Sequence, residues 1–357
     1  MRILRDFIYQ ASPMRVVFGA GQVKCLPDEL DRLGISRALV VSTSQQHEQA
    51  ERMVQLIGAR AAGVFAGAIT HTPVTVTDRA MDAVRGLDAD GIVAVGGGAT
   101  TGLSKAIALR TDLPQVILPT TYAGSEMTPV LGETRDGIKT TQSSTKVLPE
   151  TVIYDVELTA SMSPRFSALS GLNAVAHAVE ALYARDNNPI ISMIARKGLS
   201  KLAIALPRVS ARPSDLNCRQ DALYGAWLCG ICIGTVGMGL HHKLCHTVGA
   251  LFDLPHAETH AVLLPYTVAY NASAAPDAMC SVAKAIGASD AAEGLFDLAK
   301  RLDAPLSLAE IGMPAVGITK AARLAIENPY WNPRPVEQQG IRDLLVKAWC
   351  GRRPQQP

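Results

Sequence analysis

GIVAVGGGATTGLSKAIAL, Gly91 to Leu109, decides the fold. A short β-branched run, three consecutive glycines and an apolar pattern at helical spacing read as strand, tight turn and helix. On either side, further strand-like runs occur at Arg37–Thr43, Ala61–Gly67 and Gln115–Pro119, with starts 24 to 30 residues apart. That interval is the size of a βαβ unit. Between the runs, His47–Ile57, Thr77–Leu87 and Thr101–Leu109 carry helical periodicity. A parallel sheet with helices on its faces follows, and such sheets bind ligands beyond the carboxyl ends of their strands.

From about Leu158 long Ala/Leu/Met-rich segments replace the β-branched runs: Ser167–Ala184, Pro189–Leu206, Asp215–Gly234, His242–Leu251 and Ala292–Leu302 read as helices. The expected division is an α/β domain over 1–157 and an all-α domain over 158–357. Asn328, Pro329, Asn332, Pro333 and Pro335 interrupt the tail before a last helix at Glu337–Trp349.

The 357 residues are 48% hydrophobic and 18% charged, so disorder is excluded. With 34 Lys+Arg against 32 Asp+Glu and no basic run, nucleic-acid binding is not expected. Seven cysteines without framework spacing favour reduced thiols and a cytoplasmic setting, and the opening MRILRDFIYQASP has no apolar core of an export signal. Cys229 and Cys232 form a C-x-x-C inside GAWLCGICIG and read as buried apolar residues. Ala222–Leu240 is nineteen uncharged residues containing five glycines, read as a closely packed buried helix rather than a membrane span.

Gly96, Gly97 and Gly98 follow a strand and precede a helix that Thr100 or Thr101 is expected to cap, a setting where amides approach a phosphate. No glycine follows RALVVST, and Gly19-Ala20-Gly21 has Lys24 at the third glycine position, so the usual dinucleotide fingerprint is absent. A pyrophosphate is therefore expected at Gly96–Gly98, beside Thr120, Thr121 and Ser125 of PTTYAGSE.

Histidine is concentrated: six of eight, His177, His241, His242, His246, His256 and His260, lie within 84 residues. His242 and His246 share a helix face, His256 follows a turn at Asp253-Leu254-Pro255, and His177 is four residues after Asn173. Four imidazoles on two helices and a loop suit a divalent metal, but Asn173 stands where a carboxylate is expected. His241 should point about 100° away from His242, and His260 should flank or cover the site.

GGGATTGLSK, PTTYAGSE, SGLNAVAHAVEALYA and GLHHKLCHTVGALFDLPHAETHAVLLPY together resemble the iron-containing alcohol dehydrogenase superfamily, with its dehydroquinate synthase-like fold. The opening from Phe7 to Gly21, Tyr122, Asn173 and NPYWNPRPVE resemble its maleylacetate-reducing branch. The resemblance implies a nicotinamide-nucleotide domain, a helical catalytic domain, a homodimer, and reduction of the carbon–carbon double bond of 2-maleylacetate to 3-oxoadipate in aromatic breakdown. Metal-dependent members hold their ion with an Asp and three His, which match Asn173, His177, His242 and His256. Because the Asp is missing, no catalytic metal is expected. His246 is carried over as a site residue near nicotinamide and substrate. Lys243 and Arg334 are candidates to hold the dicarboxylate, and Ser42 to meet the cofactor ribose. NADH is the expected cofactor, with NADPH open because no acidic residue ends the first cofactor strand. Alternatives are a metal-dependent alcohol or polyol dehydrogenase, a cyclising lyase of the dehydroquinate synthase type, and a non-catalytic nucleotide binder.

Overall fold

The computed structural model describes residues 6–328 and 330–354. The basic first five residues and Pro329 of the tail lie outside them. Ala11–Met162 forms one compact unit; the chain from Ser163, with the segment ending at Gln10, forms the other.

The first unit is built on a six-stranded parallel sheet of β1 (Arg15–Gly19), β2 (Ala38–Val41), β3 (Ala61–Phe65), β4 (Gly91–Gly96), β5 (Gln115–Pro119) and β8 (Thr151–Asp155), ordered β1-β8-β5-β4-β2-β3. β2, β4 and β5 are buried along their whole length, which is why ALVV and QVILP run apolar instead of alternating. Helices α1 (Leu26–Leu33), α2 (His47–Ile57), α3 (Val74–Gly86) and α4 (Gly98–Thr111) connect the strands. The chain leaves β2 towards β3 on one side and leaves β4 towards β5 on the other. The switch point therefore lies at the carboxyl ends of β2 and β4, where Ser42 and Gly96 stand. Sequence periodicity missed β1 and β8, and also an antiparallel hairpin of β6 (Val130–Arg135) and β7 (Ile138–Ser143).

The second unit contains α5 (Pro164–Tyr183), α6 (Pro189–Ala211), α7 (Leu216–Thr235), α8 (Leu240–Phe252), α9 (His256–Asn271), α10 (Pro276–Ile286), α11 (Ala291–Arg301), α12 (Ile318–Ile326) and α13 (Gln338–Cys350). The starts of α5, α6 and α7 are capped by Ser163, Asn188 and Asp215, whose oxygens accept amides of the first turn. Two expectations need correction. His256 is the first residue of α9, not part of a loop, because Pro255 ends the turn and α9 starts at once. Ala222–Leu240 is not one helix: α7 stops at Thr235, and α8 leaves at 94°. No single described helix is long and apolar enough to cross a membrane.

Glycines of α6 and α7 serve close packing where the two helices meet. A Cβ on Gly225 would lie 2.9 Å from Leu202 Cγ, and one on Gly198 would lie 2.8 Å from Cys229 Sγ. Cys229 and Cys232 are fully buried packing residues with free thiols. Gly225→Leu should therefore overpack the α6–α7 contact and destabilise the chain by about 1–3 kcal/mol. A urea midpoint equal to the wild type would show that this contact has slack.

Candidate active site

α8 begins at Leu240 with Gly239 as its N-cap, a residue with no side chain to satisfy the first amides. A carboxylate from another helix does so instead. Glu180 of α5, fully buried, accepts the backbone N–H groups of Gly239 (3.2 Å), His241 (2.9 Å) and His242 (3.3 Å). It also accepts the Tyr183 hydroxyl at 3.2 Å and a short hydrogen bond from the His242 ring at Nδ1. Burial alone would raise this carboxyl; the bond from His242 and the charges and amides of α8 outweigh it and hold it at about 2.

Glu180 thereby aims His242. The other ring nitrogen, Nε2, lies 3.0 Å from His177 Nδ1, and the two rings stack with centroids 5.0 Å apart. His177 Nε2 in turn faces Asn173 Nδ2 at 3.5 Å, while Asn173 Oδ1 is buried without a hydrogen-bond partner. One chain of contacts thus runs Glu180, His242, His177, Asn173. His246 and His256 are exposed at its rim, their rings 6.2 Å apart, with His246 6.3 Å from His242.

A second chain lies behind the first. The Thr267 hydroxyl bonds the carbonyls of Leu263 and Leu264, so its oxygen accepts from His241 Nδ1 at 3.2 Å. His241 Nε2 then accepts from His260 Nδ1 at 3.0 Å, leaving His260 Nε2 buried and unpartnered. His241 thus turns away from the His177 row, and His260 flanks it, 4.5 Å from the His256 ring and 5.1 Å from that of His242. Burial holds His241 at about 3, against the pull of Glu180, and drives His260 well below the usual histidine range.

The remaining candidates divide. Lys243 lies half-buried beside His242, its ammonium 5.7 Å above the Tyr330 ring. Arg334 is held by Tyr270: its guanidinium stacks 4.2 Å over that ring and donates to that residue's carbonyl. Sequence reasoning overlooked Glu180 and Tyr330. The signal for Glu180 was present, since it is the sole charged residue in SGLNAVAHAVEALYA. Tyr330, whose buried hydroxyl has no partner, gave none beyond its place among the tail prolines.

In the α/β unit, the turn after β4 is pinned from two sides. A Cβ on Gly96 would lie 2.6 Å from Gln46 Oε1, and one on Gly97 would lie 2.8 Å from Thr121 Cγ2. Gly98 has ordinary room, so only two of the three glycines are sterically required. The helix starts at Gly98 with Gly97 as N-cap and no side-chain cap; Thr100 and Thr101 lie inside it, not at its cap. The amides of its first turn therefore face outward unclaimed by any side chain, as an anion site needs. Thr100 Oγ1 and Ser125 Oγ are buried without partners, and Thr120 takes Gln46 Nε2 at 2.7 Å while its own amide bonds Gly96. Ser42 is corrected: fully buried, its hydroxyl bonds the Thr43 carbonyl at 3.0 Å, so it does not meet a ribose.

A family model described as iron-containing alcohol dehydrogenase matches residues 13–156, and one described as Fe-containing alcohol dehydrogenase family, C-terminal, matches 167–349. The chain belongs to the iron-containing alcohol dehydrogenase family. Within that family, it is 55% identical to a maleylacetate reductase of Rhizobium sp. (strain MTP-10005), covering 99% of this chain and all of that one. A maleylacetate reductase of Burkholderia cepacia is 53% identical over 98% of the chain and all of its own length. The crystal structure of maleylacetate reductase from Agrobacterium tumefaciens superposes with a TM-score of 0.96 at 56% identity, covering 98% of this chain and all of that one.

The family's name raises the question of a metal. Its expected ligand positions supply a neutral amide at 173 and two imidazoles whose nitrogens, His177 Nδ1 and His242 Nε2, are turned on each other. Among the described residues, the His, Cys, Asp or Glu trio whose ligand atoms all lie within 4.8 Å is His241, Cys245 and His260, not that set. Asn173 thus leaves this set without an anionic ligand to offset a dication.

These ionisations predict an acid-labile fold. His241 and His260 are neutral when folded and take up protons on unfolding below about 6.5, so their contribution is lost as pH falls. The contribution of Glu180 is present above about 4.5 and is lost as pH falls towards 2. The melting temperature should fall steadily from pH 6.5 towards 3, and His260→Gln should flatten the upper part of that slope. A wild-type melting temperature unchanged between pH 6.5 and 4 would contradict the assignment.

Proposed function

We propose that the chain catalyses the NADH-dependent reduction of the carbon–carbon double bond of 2-maleylacetate, and of substituted maleylacetates, to the corresponding 3-oxoadipate, without a catalytic metal. The observation that carries this reading is the end-to-end likeness to maleylacetate reductases at more than half identity. The chemistry of the site accounts for it.

Alcohol–ketone exchange develops charge on an alkoxide, which a Lewis acid stabilises well. The double bond of maleylacetate is conjugated to a ketone, so reduction passes through an enolate, which hydrogen-bond donors can stabilise. NADH, when bound, supplies the hydride. The chain's own residues do the rest. The ionised Glu180 accepts the ring N–H of His242 at Nδ1, which turns Nε2 towards His177. That pair hydrogen-bonds the enolate oxygen and supplies the one proton that completes the reduction, and the exposed His246 and His256 replace it from solvent. Lys243, beside His242, neutralises one carboxylate of the substrate.

The uncapped start of α4 and the unpartnered hydroxyls of Thr100 and Ser125 suit the pyrophosphate of the cofactor. Thr43, which follows the buried Ser42, offers no acid to reject a 2′-phosphate, so NADPH is a second substrate for the same site. Seven free cysteines and no disulfide among the described residues support a reducing, cytoplasmic setting. Assembly as a homodimer rests on the family likeness.

Mixing the purified protein with NADH and maleylacetate should consume NADH absorbance, and His242→Ala should lower kcat by ~10²-fold, the scale of a positioned acid. Oxidation of NADH with simple aldehydes but not with maleylacetate would replace this reading by an alcohol dehydrogenase.

A further inference from the structure

The α/β unit buries a cation that takes no part in the chemistry above. Lys105 stands two turns into α4 from Gly98, and only 1% of it is exposed. Its ammonium reaches the segment that follows β5 and donates to the carbonyl of Ser125 (2.6 Å), the carbonyl and hydroxyl of Thr128 (2.6 and 2.9 Å) and the carbonyl of Val130 (3.0 Å). Three N–H donors are thus shared among four oxygens, all within the six residues Ser125 to Val130.

Burying an ammonium costs several kcal/mol before its partners are counted, and an apolar side chain of similar length would fill the same space. What an apolar side chain cannot do is hold three carbonyl oxygens pointing at one spot, since these repel one another without a cation between them. Glu126, in the middle of the segment, is also buried; it accepts the Tyr154 hydroxyl at 2.8 Å, and its charge supports the ammonium against the burial that lowers it to about 7. The clamped segment bears Ser125, whose buried Oγ has no partner. It continues the loop in which the Thr120 amide bonds Gly96 and Thr121 packs against Gly97. Lys105 therefore ties the helix with the open first turn to the loop with the unpartnered hydroxyl.

We infer that Lys105 is a positioning residue for the dinucleotide: it fixes the Thr120–Ser125 loop against the N-terminus of α4, so that the phosphate site is formed before the cofactor arrives. The inference rests on the reading that this unit binds NADH. Pre-formation of a site appears as affinity, because the bound state no longer has to order the loop. The clamp should therefore govern cofactor binding far more than turnover at saturation.

The test uses the full chain as wild type, K105M and K105M/E126Q, with NADH affinity by fluorescence titration, kcat at saturating NADH, and melting temperature. K105M leaves Glu126 buried without its cation, so its melting temperature should fall. E126Q in the same chain should restore it. The double variant should still bind NADH about tenfold or more weakly, the loss expected when charge-assisted hydrogen bonds are removed. Its kcat at saturation should stay within about threefold of the wild type. If the double variant regains wild-type affinity along with its melting temperature, Lys105 serves stability alone and the inference fails. If the wild type itself binds no NADH, the cofactor reading fails and takes this inference with it.

Discussion

The helical unit depends on one buried carboxylate. Glu180 sits where α8 begins, and its two oxygens serve the backbone amides of Gly239, His241 and His242, the Tyr183 hydroxyl and the His242 ring. A carboxylate at a helix N-terminus is favoured by the exposed amides and by the helix dipole, which is how a fully buried acid stays ionised. The same contacts set the start and the rotation of α8. That rotation places His242 against His177 and turns His241 towards Thr267 and His260. Without the carboxylate, the imidazoles would have neither a fixed register nor a counter-charge.

Among the described residues, three groups of amides at loop and helix starts show how the fold separates structure from binding. The amides at the start of α8 are taken by Glu180. Those of Gly21 and Val23, in the loop that resembles the start of a dinucleotide fingerprint, are taken by the buried Asp155 at 3.1 and 2.7 Å. The first turn of α4 is left without a side-chain cap. Two anion sites are thus filled from within, and the third stands open at the switch point of the sheet, where Gln46 and Thr121 allow only glycine at 96 and 97.

The strand–turn–helix of Gly91–Leu109 and the long apolar helices were legible because their periodicities are set by burial on one face or on all faces. β1 and β8 were less so, since RVVFG and TVIYD are five-residue runs whose pairing at the sheet edge is a long-range contact. The start of α9 at His256 was hidden by a preceding Pro that reads as a turn. The clustering of His177, His242, His246 and His256 was legible from spacing, and Asn173 from its place one turn before His177. The role of Glu180 was not, because capping α8 from α5 joins residues about sixty positions apart. The placement of Arg334 and the inward turn of Ser42 are decided by partners, Tyr270 and the Thr43 carbonyl, that local pattern does not reveal.

We propose that the imidazoles form a proton-holding chain rather than a metal cage. An amide at 173 withdraws a charge that would offset a dication. The most direct measurement is maleylacetate reduction by protein stripped with a strong chelator, with bound iron, zinc and manganese quantified on the same sample. Unchanged kcat at negligible metal content is expected. Activity that disappears on stripping and returns on adding one divalent ion per chain would contradict it.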